Sequence, residues 1–305
     1  MRIERDGGGK EGFRSGFVAI IGRPNVGKST LLNALVGRKL AIVSDKPQTT
    51  RNRILGVLTR EDFQAVFLDT PGIHKPKHRL GEYMVKVARR ALKEVDLIFH
   101  LVDATAPVGP GDRHIAGYLQ EITTPVLLVL NKVDLVREGE IPATLEAYRG
   151  LHRYEAGLDI SALQGRNLDR LIAETFRRLP EGPRYYPEDM ITDQPEAFLV
   201  VEIIREKVLH LTREEVPHAV AVEIEEFTPR REGLLYVRAA IYVERDTQKG
   251  ILIGEGGLRL KEIGRLAREE LEALLGSRIY LDLWVKVSKD WRNREGALRN
   301  LGYRE

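Results

Sequence analysis

The segment Gly22-Arg23-Pro24-Asn25-Val26-Gly27-Lys28-Ser29 has the spacing G-x-x-x-x-G-K-S, and its residue types suit polyphosphate chemistry. Glycines let the backbone wrap phosphates, while successive N–H groups and a helix N-terminus supply positive potential. Lys28 would reach the outer phosphates, and Ser29, followed by Thr30, would offer a hydroxyl to Mg²⁺. Asp69-Thr70-Pro71-Gly72-Ile73 adds a carboxylate for Mg²⁺ and a Gly72 N–H that can sense a γ-phosphate. Asn131-Lys132-Val133-Asp134 adds an Asp able to accept two hydrogen bonds from guanine, N1–H and exocyclic amine, which adenine cannot offer. A buried carboxylate left unpaired rejects the wrong base strongly. Ile160-Ser161-Ala162, with Leu163 after it, would bring a backbone N–H to the guanine O6. These four motifs, in this order, predict GTP and GDP as ligands and Mg²⁺ as the metal.

Between the first two motifs lies Pro47-Gln48-Thr49-Thr50-Arg51-Asn52, a polar segment that can bring a Thr hydroxyl to Mg²⁺ when a γ-phosphate is present. Thr50 is favoured over Thr49, which makes Ser29, Thr50 and Asp69 the expected metal set. Ile73 stands where many small GTPases carry a Gln that orients the attacking water, so intrinsic turnover should be slow. Asn25 offers another route, because an Asn at this position can ligate K⁺, which would neutralise charge developing between the β- and γ-phosphates. Asn25, Lys28, Thr50 and Gly72 are therefore the catalytic candidates. His74 and His78 fall in the second switch and read as exposed polar loop residues.

The elements that must position these groups follow from the apolar pattern. Strands such as Phe17–Ile21, Ala65–Leu68 and Val126–Leu130 alternate with helical stretches. That alternation predicts an α/β P-loop domain: a mostly parallel sheet with helices on both faces and its sites at strand C-termini. Residues 1–14 read as a disordered lead-in, 15–180 as this domain, and 181–194 as a linker draped along the surface. Residues 195–305 obey a different grammar: a helix over 197–209, two alternating strands, a helix, a Gly-rich turn, a helix over 258–275, and a last strand. In that strand Ile279, Leu281, Leu283, Val285 and Val287 point inward. The order predicts a smaller α+β module of the type II KH class, with Gly254-Glu255-Gly256-Gly257 as its G-x-x-G loop. Glycine there lets phosphates approach helix amides, and Ile251, Leu252 and Ile253 would line an apolar groove for bases.

The whole chain of 305 residues carries a formal charge of +3 and has no cysteine, which excludes disulfides and thiolate metal sites. No apolar run approaches a membrane span and no signal-peptide core opens the sequence. From 191 to 305 there are 19 basic and 21 acidic residues, a net of −2, so bulk charge does not announce a nucleic-acid binder. Positive residues gather towards the end, at Lys286, Lys289, Arg292, Arg294, Arg299 and Arg304. With Trp284 and Trp291 nearby, that tail could track a phosphate backbone or stack a base. Near-neutral charge suits selective recognition of a short single strand.

Several stretches resemble the Era family of bacterial GTPases, within the TrmE–Era–EngA-like superfamily. They are the P-loop, Pro47-Gln48-Thr49-Thr50-Arg51, Asp69-Thr70-Pro71-Gly72-Ile73, Pro187-Glu188-Asp189-Met190-Ile191-Thr192-Asp193 and Tyr242-Val243-Glu244-Arg245-Asp246-Thr247-Gln248-Lys249-Gly250. The resemblance covers nearly everything after the first dozen or so residues. It implies binding of the 3′ end of small-subunit ribosomal RNA and a role in assembling the small ribosomal subunit. It also implies peripheral contact at the inner membrane; the chain is otherwise expected to be cytoplasmic and a monomer. Glu255 stands where the family's loop usually carries Lys, and a carboxylate beside phosphates is expected to weaken the RNA contact. On the residues alone two other readings stay open: a GTPase of the same superfamily whose C-terminal module binds protein, and an RNA chaperone with a vestigial nucleotide site.

Overall fold

The computed structural model describes residues 12–303 except 47, 74, 75, 77 and 232. Residues 1–11, most of the expected lead-in, lie outside the described residues, as do Pro47, His74 and Arg304. Arg14, placed in the lead-in by the sequence reading, opens the first strand, and Phe13 before it is already buried.

In chain order the N-terminal part contains β1 (Arg14–Ile21), α1 (Lys28–Val36), β2 (Ile54–Thr59), β3 (Phe63–Asp69), α2 (Arg79–Ala91), β4 (Leu97–Asp103) and α3 (Pro110–Leu119). It continues with β5 (Val126–Asn131), α4 (Ile141–Arg149), β6 (Ala156–Asp159) and α5 (Leu168–Arg178). The C-terminal part contains α6 (Glu196–Leu211), α7 (Val216–Ala219), β7 (Ala221–Arg231), β8 (Leu234–Val243), α8 (Asp246–Ile253), α9 (Leu258–Leu275), β9 (Arg278–Val287) and α10 (Glu295–Asn300).

The first six strands form one sheet in the order β2-β3-β1-β4-β5-β6. Only β2 runs antiparallel, pairing Ile54 with Asp69, and the others are parallel. Burial on both faces explains why β4 and β5 read as continuous apolar runs rather than alternating ones. His100 is the fully buried polar residue in β4. Burial holds its imidazole neutral, with a pKa of about 3, and its Nδ1 lies 2.8 Å from the Tyr154 hydroxyl. The strand C-termini at Ile21, Asp69, Asn131 and Asp159 deliver all four nucleotide motifs to one edge of the sheet.

The second sheet has the order β7-β8-β9, with β7 and β8 antiparallel and β8 and β9 parallel. A parallel pair needs a crossover, and α8 and α9 provide it. The side chains Val222, Val237, Ile241 and Val285 pack beneath α6, α8 and α9, with Val200, Ile204, Leu252, Ile263 and Leu271 supplied by the helices. Leu252, expected to line a groove, is wholly buried in this core. Its helical neighbours explain that: one turn of α8 faces the sheet there, leaving Ile251 exposed and Ile253 at the core's edge.

By packing, the chain forms two units. The first comprises residues up to Ala41, Thr50–Lys75 and Met84–Asp193; the second comprises Ile42–Thr49, Pro76–Tyr83 and Gln194–Glu305. Within the first, the connector is tied down by Gln64. Its Oε1 accepts the N–H groups of Tyr185 and Tyr186 at 2.8 and 3.0 Å, and Val57 N–H donates to the Ile191 carbonyl at 2.7 Å. Within the second, Ile42 sits in the helix–sheet core, and Tyr83 meets Tyr303 edge-on at 5.9 Å. Two segments that the sequence reading counts with the GTPase domain thus pack with the C-terminal residues.

Candidate functional site

The loop between β1 and α1 is shaped by close approach. Asn25 and Gly27 have left-handed φ values of 65° and 99°. A Cβ on Gly27 would lie 2.3 Å from Asn131 Nδ2, and one on Gly22 would lie 2.3 Å from the Leu101 carbonyl oxygen, so only glycine fits either place. Asn131 is the clamp on this loop: Nδ2 donates to the Val26 carbonyl at 2.8 Å, and Oδ1 accepts the Ala162 N–H at 2.9 Å. It therefore joins the phosphate loop to the 161–162 turn, where Ser161 is fully buried. Arg23 reaches sideways, its Nε 2.9 Å from the buried Asp112 carboxylate, and Pro24 packs where a Cβ on Gly72 would come within 3.0 Å. Lys28, Ser29 and Thr30 form the first turn of α1.

Lys28 Nζ donates to the carbonyls of Arg23 at 2.8 Å and Gly22 at 3.3 Å. Burial lowers its pKa to about 8, against the pull of Asp69. Burial likewise raises Asp69 to about 6, against Lys28 and the Ser29 and Thr50 hydroxyls. Ser29 Oγ donates to Asp69 Oδ2 at 2.6 Å and lies 2.9 Å from Thr50 Oγ1, which is 3.5 Å from the same carboxylate oxygen. The structure thus brings the three expected metal ligands together, with Thr50 rather than Thr49; the Thr49 hydroxyl donates instead to the Lys46 carbonyl at 2.6 Å. Asp69 Oδ1 is buried and makes no hydrogen bond. Two hydroxyls and one carboxylate with an orphaned oxygen fit Mg²⁺, which binds few protein oxygens and completes its shell with phosphate and water. No cluster of three or more His, Cys, Asp or Glu able to hold a metal occurs among the described residues.

At the base end, Asp134 Oδ1 is buried without a hydrogen-bond partner, as a guanine-reading carboxylate requires before ligand arrives. Lys132 has a φ of 66° and its Nζ is 2.5 Å from Asp103 Oδ2, while Leu163 is 80% exposed beside the turn. Thr70 is buried, its hydroxyl on the Ile20 carbonyl at 3.0 Å. The Ile73 side chain is packed in the core with Ile21, Ala88 and Ile115. His78 accepts the Gly81 N–H at 3.0 Å and acts in the start of α2.

In the C-terminal unit, Gly254, Gly256 and Gly257 all take positive φ, 72°, 56° and 79°, and Glu255–Gly257 forms a 3₁₀ turn into α9. A Cβ on Gly254 would lie 2.8 Å from that of Arg259. Beside the turn a groove of about 500 Å³ runs between α9 and β9, lined by Gly257, Leu260, Lys261, Gly264, Arg268, Leu281 and Leu283 among others. Leu281 and Leu283 are half-buried because they form its floor. Lys261, Gly264 and Arg268 were missed by sequence reasoning. The available signal was a glycine in mid-helix, which costs about 1 kcal/mol relative to alanine and so marks a place where a side chain is unwelcome.

The basic tail is largely neutralised. Lys286 pairs with Glu225, Arg292 with Glu244 at 2.5 Å, and Arg299 with Glu295 at 2.6 Å, whereas Lys289 is exposed. The two tryptophans divide: Trp284 is 57% exposed, while Trp291 is fully buried, stacked on Tyr303 and donating to the Ala219 carbonyl at 2.8 Å.

A phosphate loop, a guanine-reading carboxylate and a G-x-x-G groove on one chain define a P-loop GTPase with a C-terminal KH domain. A 50S ribosome-binding GTPase family matches residues 17–132, and a KH domain family matches residues 215–292. A variant of Era from Aquifex aeolicus, solved with GDP and AlF₄⁻, is 45% identical, with a TM-score of 0.93 over 96% of this chain and 100% of its own. A structure of Era with MgGDPNP and nucleotides 1506–1542 of 16S ribosomal RNA is likewise 45% identical, with a TM-score of 0.94 over 96% and 100%. The chain belongs to the Era family and hydrolyses GTP.

Proposed function

We propose that this GTPase is a nucleotide-controlled switch that binds the 3′ end of small-subunit ribosomal RNA and assists assembly of the small subunit. The observation that carries this reading is the coexistence of a fully furnished GTP site and a G-x-x-G groove on a chain alike, end to end, to an Era solved with both ligands. In this reading the GTPase module spans 15–180, the connector 181–194 and the KH module 195–305. Lys28 holds the outer phosphates, the Gly72 N–H meets the γ-phosphate, and Asp134 reads guanine. Ser29, Thr50 and Asp69 hold Mg²⁺, which supplies neutralisation of the phosphate charge. Asn25 is the K⁺ ligand of the reading. With Ile73 in the core, no side chain there orients water, so turnover is slow. Bases lie in the α9–β9 groove, phosphates follow Gly254–Gly257 and Lys289, and Ile251 and Ile253 flank them. Lys286 and Arg292 join the phosphates only by leaving their carboxylates. The protein acts as a cytoplasmic monomer that can meet the inner membrane peripherally; no helix among the described residues is long and apolar enough to cross one.

Fluorescence anisotropy with a short strand copying the ribosomal 3′ end, and a scrambled control, tests this with GDP and with a non-hydrolysable GTP analogue. Tighter, sequence-selective binding with the analogue is expected. Equal binding of both strands, or equal binding in both nucleotide states, overturns it.

A further inference from the structure

We propose that Arg205, on α6 of the KH module, is a positioning residue for the GTP-bound site, acting through the Thr49 carbonyl on the hydroxyl of Thr50. The inference rests on the reading of Thr50 as a Mg²⁺ ligand given above. Arg205 is 1% exposed, and its guanidinium grips Glu202 through Nε at 3.0 Å and Nη2 at 2.7 Å. The same Nη2 donates to the Thr49 carbonyl oxygen. The next residue is Thr50, whose hydroxyl stands 2.9 Å from Ser29 Oγ.

A peptide unit is planar, so the carbonyl of Thr49 and the N and Cα of Thr50 share one plane. A donor that fixes the carbonyl direction therefore also fixes where the Thr50 side chain starts. The far end of the segment is held by the same helix. Val43 N–H donates to Glu206 Oε1 at 3.0 Å, the Val43 carbonyl lies 3.1 Å from His210 Nε2, and Ile42 is in the core with Val200 and Ile204. Glu202, Arg205, Glu206 and His210 recur at helical spacing and form one stripe along α6. A buried ion pair is weak evidence for stability, since apolar residues of similar volume pack as well. Its placement against one carbonyl points to geometry as what it secures. Arginine suits this because its planar guanidinium presents its N–H groups to the carboxylate and the carbonyl in fixed directions, whereas lysine offers a compact ammonium on a flexible stem.

Arg205→Lys keeps a cation for Glu202 and removes the rigid guanidinium that reaches the carboxylate and the Thr49 carbonyl together. Arg205→Leu combined with Glu202→Leu replaces the pair without leaving an unpaired buried charge. Dissociation constants for GDP and a non-hydrolysable GTP analogue, with Mg²⁺ and with EDTA, would be measured beside single-turnover hydrolysis, using Thr50→Ala as reference. The expected result is about tenfold weaker binding of the analogue with Mg²⁺ in each Arg205 variant, the scale of one charge-assisted hydrogen bond. GDP affinity stays unchanged, the difference vanishes in EDTA, and hydrolysis falls in step. On a Thr50→Ala background the Arg205 change adds nothing. Wild-type behaviour in the Arg205 variants while Thr50→Ala is impaired overturns the proposal and leaves the Thr50 reading standing. Unimpaired Thr50→Ala overturns both. Equal weakening of GDP and analogue, or a matching loss of thermal stability, makes Arg205 merely structural and also overturns the proposal.

Discussion

Burial moves the pKa of Lys28 down and that of Asp69 up, each towards neutrality, and each shift is opposed by what the residue binds. A polyphosphate favours charged Lys28, and Mg²⁺ favours ionised Asp69, so nucleotide binding must move protons in opposite directions at two pH values. At pH 8, near the lowered lysine value, about half of Lys28 is neutral, and binding GDP without metal takes up about half a proton. At pH 6, adding Mg²⁺ with the nucleotide releases about half a proton from Asp69. Calorimetry in buffers of different ionisation enthalpy reads both signs; uptake and release of the same sign would contradict the assignment. Lys28, Asp69 and Asp134 were legible in the sequence because their chemistry is fixed by residue type and motif. Asn131 was legible only as part of a base-reading motif. Its actual bonds, to Val26 and Ala162, join three loops far apart in the chain, and no local pattern encodes that.

At the scale of elements, α9 shows how a helix serves two faces. Ile263, Ala267 and Leu271 bury one face in the core, while Lys261, Gly264 and Arg268 line the groove on the other. A Cβ on Gly264 would sit 3.4 Å from Leu283, ordinary contact, so the helix accepts a side chain that the groove does not. Gly264→Leu should therefore keep or raise the melting temperature while weakening binding of the ribosomal 3′-end strand at least tenfold, the cost of losing roughly one stacked base. Unchanged anisotropy in that variant would place the bases elsewhere. The bounds of α9 were readable from its apolar period and flanking glycines, and they match residue for residue. The groove was not readable, because its floor comes from β9, brought beside α9 only by the parallel pairing of β8 and β9.

At the scale of the molecule, the KH module carries no electrostatic advantage, and its tail spends much of its positive charge on internal carboxylates. Glu255 then stands as a carboxylate within the G-x-x-G turn. Glu255→Lys should tighten RNA binding and steepen its dependence on salt, raising the slope of log affinity against log salt by about one for each phosphate newly neutralised. An unaltered slope would put Glu255 outside the RNA path. The order helix, two strands, helix, turn, helix, strand in the C-terminal module was legible from hydrophobic period, whereas the short α7 and α10, and β2 and β4 of the nucleotide domain, were not placed. The division of the chain was less legible, since residues 42–49 and 76–83 lie inside the GTPase motif order yet pack with the C-terminal residues. That placement has a hereditary consequence. A recombination that exchanged the C-terminal module at the connector would strand Ile42 and Tyr83 without the surfaces they were shaped against. Those two segments inherit their partners from the far end of the chain, so their sequences drift with the C-terminal residues they pack against.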